Sequence, residues 1–138
     1  MKTIFTLFVV LALVSITYSA VAQETQKPPK TGFFLFNQNK VAQENVAKVN
    51  AIWDSTFTPI LNELMKEGKL LGWGLLMHAW GDEWNYNFYF VTENHRAFLD
   101  FWSEFFARVS KRFPGLMGKI TPMIIEHKDN MYSIHAMQ

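Results

Sequence analysis

Four histidines are the residues of this chain best suited to acid-base or metal chemistry near neutral pH: His78, His95, His127 and His135. Histidine is the side chain that titrates unperturbed in the physiological range, and it is the commonest metal ligand. No two of the four stand four residues apart, the sequence HExxH does not occur, and the chain contains no cysteine. The sequence therefore predicts no metal site, no disulfide and no thiolate chemistry.

The segment 70–91, LLGWGLLMHAWGDEWNYNFYFV, predicts the element that positions His78. It has the pattern of a β-hairpin with the two-residue turn Gly81-Asp82, because glycine at the first central position suits a type II′ turn. A slip of one residue would move every side chain to the opposite face, so the turn fixes which residues are neighbours. One face is apolar and is predicted to contact the core: Trp73, Leu75, Met77, Trp84, Tyr86, Phe88 and Phe90. The other face is mixed: Gly72, Gly74, Leu76, His78, Trp80, Asn85, Asn87, Tyr89 and Val91.

On the mixed face, His78 is predicted to lie opposite Asn85, with Asn87 and Tyr89 further along. Such a cluster can orient a polar aromatic molecule or exchange a proton with it. We therefore predict His78, Asn87 and Tyr89 as candidate catalytic residues. The alternative is a histidine that is simply hydrogen-bonded at a subunit interface, because most buried polar groups are structural.

Candidate ligand-binding residues extend this cluster and include aromatic residues of a second predicted helix. An apolar cavity between that helix and the sheet would suit a small molecule, although Phe98 and Trp102 are more simply interpreted as core. The full set is Trp80, Trp84, Asn85, Phe98, Trp102 and His135. His95 lies in the first turn of the second helix, where a haem-binding protein could place an iron ligand. His127 begins a polar run, 127–130, that predicts a turn.

The first half of the domain predicts a strand followed by a long helix. Residues 32–42 open with the apolar run FFLF, which is typical of a buried strand. Residues 43–67 place apolar side chains at steps of three and four, forming one stripe along a helix that Gly68 ends. Pro59 interrupts this helix, so we expect either a kink or a fresh start with Thr58 as the N-cap.

The second half, after the hairpin, predicts two more helices and a last strand. Asn94 is predicted to cap a helix that Phe113-Pro114-Gly115 ends. A short helix from Leu116 to about His127 follows, with Pro122 weakening the pattern. Asp129-Asn130 is then predicted to turn the chain into a strand from Met131 to Met137.

This order of strand, helix, strand, strand, helix, strand predicts an α+β, ferredoxin-like fold. In that fold a four-stranded antiparallel sheet carries both helices on one face. The other face is left without a cover, and it carries Leu76, Trp80, Tyr89 and Val91, an unusual amount of apolar surface for a monomer. A second copy of the chain would cover it, so a twofold homodimer is predicted.

The first 22 residues have the pattern of a cleaved signal peptide. Lys2 provides a positive start, an apolar run extends from Ile4 to Ile16, and Ala20-Val21-Ala22 forms a small-residue cleavage site. We therefore expect an exported protein, periplasmic or secreted, with no membrane attachment after cleavage.

The mature chain would consist of a linker and one domain. Residues 23–31 are polar and contain Pro28-Pro29, which predicts a disordered linker, and residues 32–138 form the domain. The whole chain has 13 basic and 12 acidic residues, so removing Lys2 leaves 13 − 1 = 12 of each. This balance gives no attraction for nucleic acid.

The domain resembles the dimeric α+β barrel superfamily, in particular its small exported bacterial members of unknown function. The resemblance spans about residues 33–135 and rests on several short segments: Asn39-Lys40-Val41, Trp53, Pro59, Glu67-Gly68-Lys69, Leu71-Gly72-Trp73, the aromatic third strand, and EHKDNMYS at 126–133. It implies that two ferredoxin-like protomers pair sheet to sheet into a barrel. Members include cofactor-free monooxygenases, haem-degrading enzymes, chlorite dismutases and stress-induced proteins, so the fold does not fix the function.

The leading hypothesis is a dimer that binds a small hydrophobic or aromatic molecule, with a cofactor-free oxygenase-like reaction as its enzymatic form. Two alternatives stay open: a non-enzymatic, stress-related interaction or structural protein, and a haem-binding protein. The leading hypothesis needs no cofactor.

Overall fold

Four antiparallel strands form a single sheet, and the helices pack on one of its faces. The computed structural model describes residues 30–80 and 83–137. The elements are β1 Lys30–Val41, α1 Gln43–Ile52, a π-helical turn Trp53–Phe57, α2 Thr58–Lys66, β2 Gly72–Met77, β3 Tyr86–Thr92, α3 His95–Arg112, α4 Leu116–Ile120, a 3-10 turn Thr121–Met123, and β4 Ile124–Met137. The predicted signal peptide and nearly all of the predicted linker lie outside the described residues. Strand β1 begins at Lys30, two residues before the predicted domain.

The strand order is β2-β3-β1-β4, with every neighbouring pair antiparallel. The predicted hairpin register is confirmed, because Gly72 pairs with Val91, Leu75 with Phe88, and Met77 with Tyr86. The ladder ends at Met77 and Tyr86. The predicted turn residues Gly81 and Asp82 lie outside the described residues.

Aromatic side chains from the sheet and the helices form the core. Phe90 lies 5.1 Å from Phe101 and 5.8 Å from Trp102 between ring centroids, and Trp53 lies 4.7 Å from Phe88. The predicted core face of the hairpin is confirmed for five of its seven residues, which are buried or packed against the core: Trp73, Leu75, Tyr86, Phe88 and Phe90.

The predicted core positions of Met77 and Trp84 are wrong. Met77 ends the edge strand β2 and is 50% exposed. Trp84 precedes β3, so the alternation of the strand does not govern it, and the Lys128 ammonium lies 4.4 Å from the centre of its ring. On β4, Asp129 lies on the helix side of the sheet, where it accepts a hydrogen bond from Asn37. Its neighbour Lys128, which pairs with Gln38, therefore points to the opposite face. Trp84 therefore contacts the sheet face away from the helices.

The long helix passes through Pro59 by means of a widened turn. A proline at position 59 cannot donate a hydrogen bond to the carbonyl four residues back. The π-helical turn Trp53–Phe57 lies directly before it, as such turns commonly accommodate a break in the hydrogen-bond ladder. Thr58 has helical backbone angles (φ −52°, ψ −47°) rather than those of an N-cap, so the predicted fresh start is wrong. The turn brings Trp53, Thr56 and Phe57 to the buried side.

The end of the chain differs from the prediction. Helix α4 ends at Ile120, the 3-10 turn contains Pro122, and β4 then runs for 14 residues from Ile124. The predicted helix to His127 and the predicted turn at Asp129-Asn130 are therefore wrong. The polar residues stay in the strand because β1 offers polar partners: Asn37 donates to Asp129, and Asn130 donates to Gln38 at 3.1 Å.

Helix α3, which is the second of the helices predicted from the sequence, agrees with the prediction at both ends. The Asn94 side chain accepts a hydrogen bond from the Ala97 amide at 2.9 Å, and Gly115 takes a left-handed conformation after the last turn. Within the part of the chain that the structure describes, no helix is long and apolar enough to span a membrane.

The described residues leave the other sheet face, here called the outer face, without a covering layer. Its centre is a cluster of four aromatic residues from three strands: Phe34, Phe36, Tyr89 and Tyr132. Ring centroids in this cluster lie 5.5 to 6.1 Å apart. Leu76, on the same face of β2, is 45% exposed, as the prediction of an uncovered apolar face requires. Trp80, beyond the end of β2, is 91% exposed.

Candidate functional site

A cavity of about 340 Å³ lies between the sheet and the helices. Aromatic side chains form most of its wall: Trp53, Phe57, Tyr86, Phe88, Phe90, Trp102, Phe105 and Phe106. The π-helical turn contributes two of these rings, β3 contributes three, and α3 contributes three. Aliphatic side chains complete it from β1, α1, α4 and β4: Val41, Val49, Met117, Ile120, Ile124 and Ile125.

One end of the cavity is polar, because β1 changes character along its inward face. Phe33 and Leu35 point to the core, and the next inward residues are Asn37 and Asn39, which are 5% and 3% exposed. Strand β4 places Asp129 beside Asn37 and His127 beside Asn39. All four of these polar residues line the cavity.

These four side chains form one hydrogen-bonded chain. Asn39 donates to the Asn37 carbonyl oxygen, and Asn37 donates to Asp129 Oδ1. His127 Nε2 lies 3.3 Å from Asp129 Oδ2. In the tautomer that donates from Nε2 to this carboxylate, Nδ1 is an acceptor.

The polar end of the cavity is open to solvent. The His127 and Asp129 side chains are 58% and 41% exposed, whereas the amides behind them are buried. A molecule entering here would pass these polar groups before it reaches the aromatic wall. The arrangement can therefore hold an apolar body and contact one polar group at its end.

Trp53 is the buried polar residue of the cavity that lacks a hydrogen bond. Its indole is 4% exposed, and Nε1 has no hydrogen-bond partner among the described residues. Tyr86, also in the wall, donates its hydroxyl hydrogen to Asn50 Oδ1 at 3.0 Å. Burial, together with the negative charge of Asp54, raises the pKa of the Tyr86 phenol far above its ordinary value, so this hydroxyl stays protonated.

Two solved structures are similar to this one, and both are described as dimeric ferredoxin-like proteins from an uncultured marine organism. The first has a TM-score of 0.61 and 14% sequence identity, over 78% of this chain and 90% of that chain. The second has a TM-score of 0.55 and 12% identity, over 80% of this chain and 100% of that chain. The chain has a ferredoxin-like fold. No family model and no curated protein matches it.

The ferredoxin-like fold confirms the predicted α+β class, and at these identities the likeness concerns the fold alone. The outcome for the candidate residues therefore depends on where this structure places them. Trp102 is the predicted ligand-binding residue that lines the cavity. Phe98 packs in the core, 5.4 Å from Phe33 between ring centroids.

The predicted catalytic residues do not meet in one pocket. Asn87 uses its amide on the backbone, accepting from Asn39 N at 3.1 Å and donating to the Trp84 carbonyl at 2.8 Å. Tyr89 lies over Gly74 on the outer face. His78 is exposed beyond the end of β2. A catalytic role for these residues stays a prediction, and Asn87 has a structural role here.

The remaining predicted ligand-binding residues do not lie together. Asn85 forms a closed pair with the Val41 backbone, accepting from N and donating to O, each at 2.8 Å. Trp80, Trp84 and His135 lie at exposed or half-exposed positions away from the cavity wall. His95, at which a haem-binding protein could place an iron ligand, lies with its ring 4.9 Å from that of Phe33. Within residues 30–80 and 83–137, no three His, Asp or Glu side chains are grouped to hold a metal ion.

Sequence reasoning missed the polar end of the cavity. Asn37 and Asn39 show a period of two at the end of an apolar strand, which signals two inward polar groups. Their partners were hidden because 127–130 was interpreted as a turn. Extending β4 back to Ile124 would have placed His127 and Asp129 on that same inward face.

Proposed function

We propose that the protein is a homodimer that binds a small hydrophobic or aromatic molecule in the cavity between its sheet and its helices. The observation that carries the proposal is this cavity of about 340 Å³, with aromatic walls and one polar end. Its volume falls in the range of small-molecule sites, which are mostly apolar with a few placed polar groups. An apolar ring system would lie against Phe88, Trp102 and Phe105, with a polar substituent toward Asn37 and Asp129.

The dimer is supported by the outer face and by the two similar structures, both of which are described as dimeric proteins. Phe34, Phe36, Tyr89 and Tyr132 present an aromatic surface on the side of the sheet away from the helices. A second copy related by a twofold axis would place the same surface against it. Dimerisation and ligand binding would then use opposite faces of one sheet.

Native mass spectrometry of the purified protein tests both parts. We expect a dimer that carries extra mass, which small-molecule extraction then identifies. A haem ligand would also show a Soret band in the absorption spectrum of the same sample, which would favour the haem-binding alternative. A dimer without any ligand, unable to bind aromatic probes, would contradict the cavity proposal and favour the interaction or structural alternative.

A pair of substitutions on α1 separates the cavity from general packing. Val49 lines the cavity, whereas Val46 packs near the core outside it. Filling the cavity should exclude the ligand, so Val49→Phe is expected to lower affinity at least tenfold, while Val46→Phe keeps it. Circular dichroism would establish that both variants fold, and equal ligand loss in both would contradict the assignment.

A second candidate function, chemistry on the bound molecule, is favoured by the pairing of His127 with Asp129. The carboxylate stabilises the imidazolium that forms when Nδ1 takes a proton, as in other histidine bases. The oxygenase-like reaction expected from the resemblance, with O₂ as oxidant, would use His127 rather than His78 to deprotonate a hydroxyl of the substrate.

Oxygen uptake with the extracted ligand tests this activity. His127→Gln is expected to lower the rate at least a hundredfold, since general bases contribute about 10² to 10⁴. His135→Gln, an exposed histidine of the same strand, is the control and should retain the rate. Ligand binding without any turnover would leave the protein as a binding protein.

We also propose export, which is supported by the pattern of residues 1–22 in the sequence. Expression of the full chain in a bacterium, followed by mass measurement of the protein in the periplasm and medium, tests it. We expect a mature chain that begins at Gln23. Full-length protein confined to the cytoplasm would contradict export.

A further inference from the structure

The polar end of the cavity carries a negative charge that the cavity lining does not balance. Asp129 lines the cavity, and its side chain is 41% exposed, so the carboxylate is accessible from the opening. The other acidic residue of the lining, Glu126, pairs with Lys40 at 3.9 Å. Among the described residues, the lining contains no lysine and no arginine. A molecule entering the cavity therefore meets the charge of Asp129 at this end.

The Asp129 carboxylate is held in place by its protein neighbours. The buried Asn37 donates to Oδ1, and His127 Nε2 lies 3.3 Å from Oδ2. The two oxygens of a carboxylate together offer about four acceptor positions, so these contacts leave acceptor capacity for a ligand. A charge that is already positioned before the ligand arrives lowers the cost of ordering it on binding.

The hydrogen-bond donors of the cavity wall are not free to bind an anion. The Tyr86 hydroxyl donates to Asn50 Oδ1 at 3.0 Å. The Thr121 hydroxyl donates to the Met117 carbonyl oxygen at 2.9 Å. Trp53 Nε1 is buried with almost no accessible surface. A ligand anion would lose its hydration here without gaining donors, which is costly, whereas a ligand cation brings donors of its own.

We infer that the ligand carries a positively charged nitrogen that lies beside Asp129 while its aromatic or apolar body fills the cavity. This inference deepens the proposed function and rests on it. The ligand class is narrowed to organic ammonium ions, and carboxylates or phosphates of similar shape are repelled by the Asp129 charge. An aromatic wall also suits an organic cation, because the faces of aromatic rings attract positive charge.

The test uses three probes with the same ring system and different charge: 2-naphthylmethylamine, 2-naphthalenemethanol and 2-naphthoate. Their dissociation constants are measured for the wild-type protein at about pH 8.5, where an ordinary histidine is neutral and an aliphatic amine is charged. We expect the ammonium probe to bind at least tenfold more tightly than naphthoate. Added salt should reduce this preference, because ions screen a charge that is open to solvent.

A pair of substitutions assigns the preference to Asp129. Asp129→Asn keeps the size of the side chain and an acceptor for Asn37 but removes the charge. It should lower the preference for the ammonium over naphthoate about tenfold and leave the affinity for the neutral alcohol nearly unchanged. Asp100→Asn is the control, because it removes the same charge from an exposed position on α3 outside the cavity lining, and it should keep the wild-type preference.

The outcomes separate the inference from the proposed function. Naphthoate that binds the wild-type protein as tightly as the ammonium, or a preference that survives in a folded Asp129→Asn variant, would overturn the inference while ligand binding stands. If Asp129→Asn does not fold, the wild-type preference and its dependence on salt decide the matter without it. If none of the three probes binds the wild-type protein, the proposed function and the inference are both overturned.

Discussion

Asparagine side chains replace backbone partners where the β1–β3 ladder ends. Asn85 closes a pair of hydrogen bonds with the Val41 backbone, and Asn87 joins the Asn39 amide to the Trp84 carbonyl. Each side chain uses both its donor and its acceptor on the main chain. The two asparagines of the segment WNYNFYF therefore end the strand pairing, whereas the sequence alone suggested a binding or catalytic role for them.

This arrangement predicts that Asn85→Ala destabilises the fold. Removing the amide leaves the buried Val41 N–H and carbonyl without these partners, at a cost of about 1 to 3 kcal/mol. Urea unfolding monitored by tryptophan fluorescence measures the change. Asn62→Ala is the control, because Asn62 is exposed and loses a single bond with Trp73, so less than about 0.5 kcal/mol is expected. Equal losses in the two variants would contradict the role of Asn85.

At the scale of elements, an ion-pair network joins α2 to α3. Arg108 forms two hydrogen bonds with the Glu67 carboxylate, at 2.8 and 2.7 Å, and a third with Glu104 at 2.9 Å. Arg112 forms a similar pair with Glu63. The Arg108 guanidinium lowers the pKa of Glu67 from 4.5 to about 2, and the pKa of Glu104 is also lowered, chiefly by Arg108.

The network predicts that acid weakens the contact between the two helices. Because the folded pKa of Glu67 lies below the unfolded one, its stabilisation is present above pH 4.5 and is lost as the pH falls through about 2. Arg108→Met should therefore reduce the difference in unfolding free energy between pH 7 and pH 3, as measured by urea titration. The control Arg96→Met removes an exposed pair with Asp100 on α3 and should leave the difference near the wild-type value. Added salt should reduce the effect of Arg108→Met, because exposed pairs are screened.

The elements that the sequence predicted well are those set by local signals. The hairpin register follows from alternation and a short turn, and the Asn94 cap follows from neighbouring residues. Strand β4 was missed in part because Asp129 and Asn130 favour turns locally. Their strand conformation depends on Asn37 and Gln38, each 92 residues away in sequence, and single-sequence patterns do not show such partners.

The candidate site could be predicted only in outline for the same reason. A cavity between sheet and helices was the alternative to a packed core, and Trp102 lines the cavity that the structure contains. Its polar end joins residues of β1 and β4, and its Trp53 wall depends on a π-helical turn that no periodic pattern reveals. The prediction for His78 followed from a correct register, in a hairpin whose mixed face points away from this cavity.

At the scale of the whole molecule, β1 serves both faces of the sheet. Its inward residues Leu35, Asn37 and Asn39 are buried on the helix side, whereas Phe34 and Phe36 belong to the outer face. The helices cover one face of the sheet, and the aromatic cluster on the outer face stays partly exposed in a single chain. A fold with two sides of this kind is completed when a second copy supplies the missing layer.

The proposed dimer predicts different effects for lysine at two leucines of nearly equal exposure. Leu76 on the outer face is 45% exposed, and Leu99 on α3 is 47% exposed. In a twofold dimer joined through the outer face, Leu76→Lys introduces a charge twice into an apolar interface and should raise the dimer dissociation constant at least tenfold. Leu99 lies on the helix side, so Leu99→Lys should leave the dimer dissociation constant unchanged. Analytical ultracentrifugation over a range of concentrations measures both, and equal effects of the two variants, or a wild-type protein that is monomeric throughout, would contradict pairing through this face.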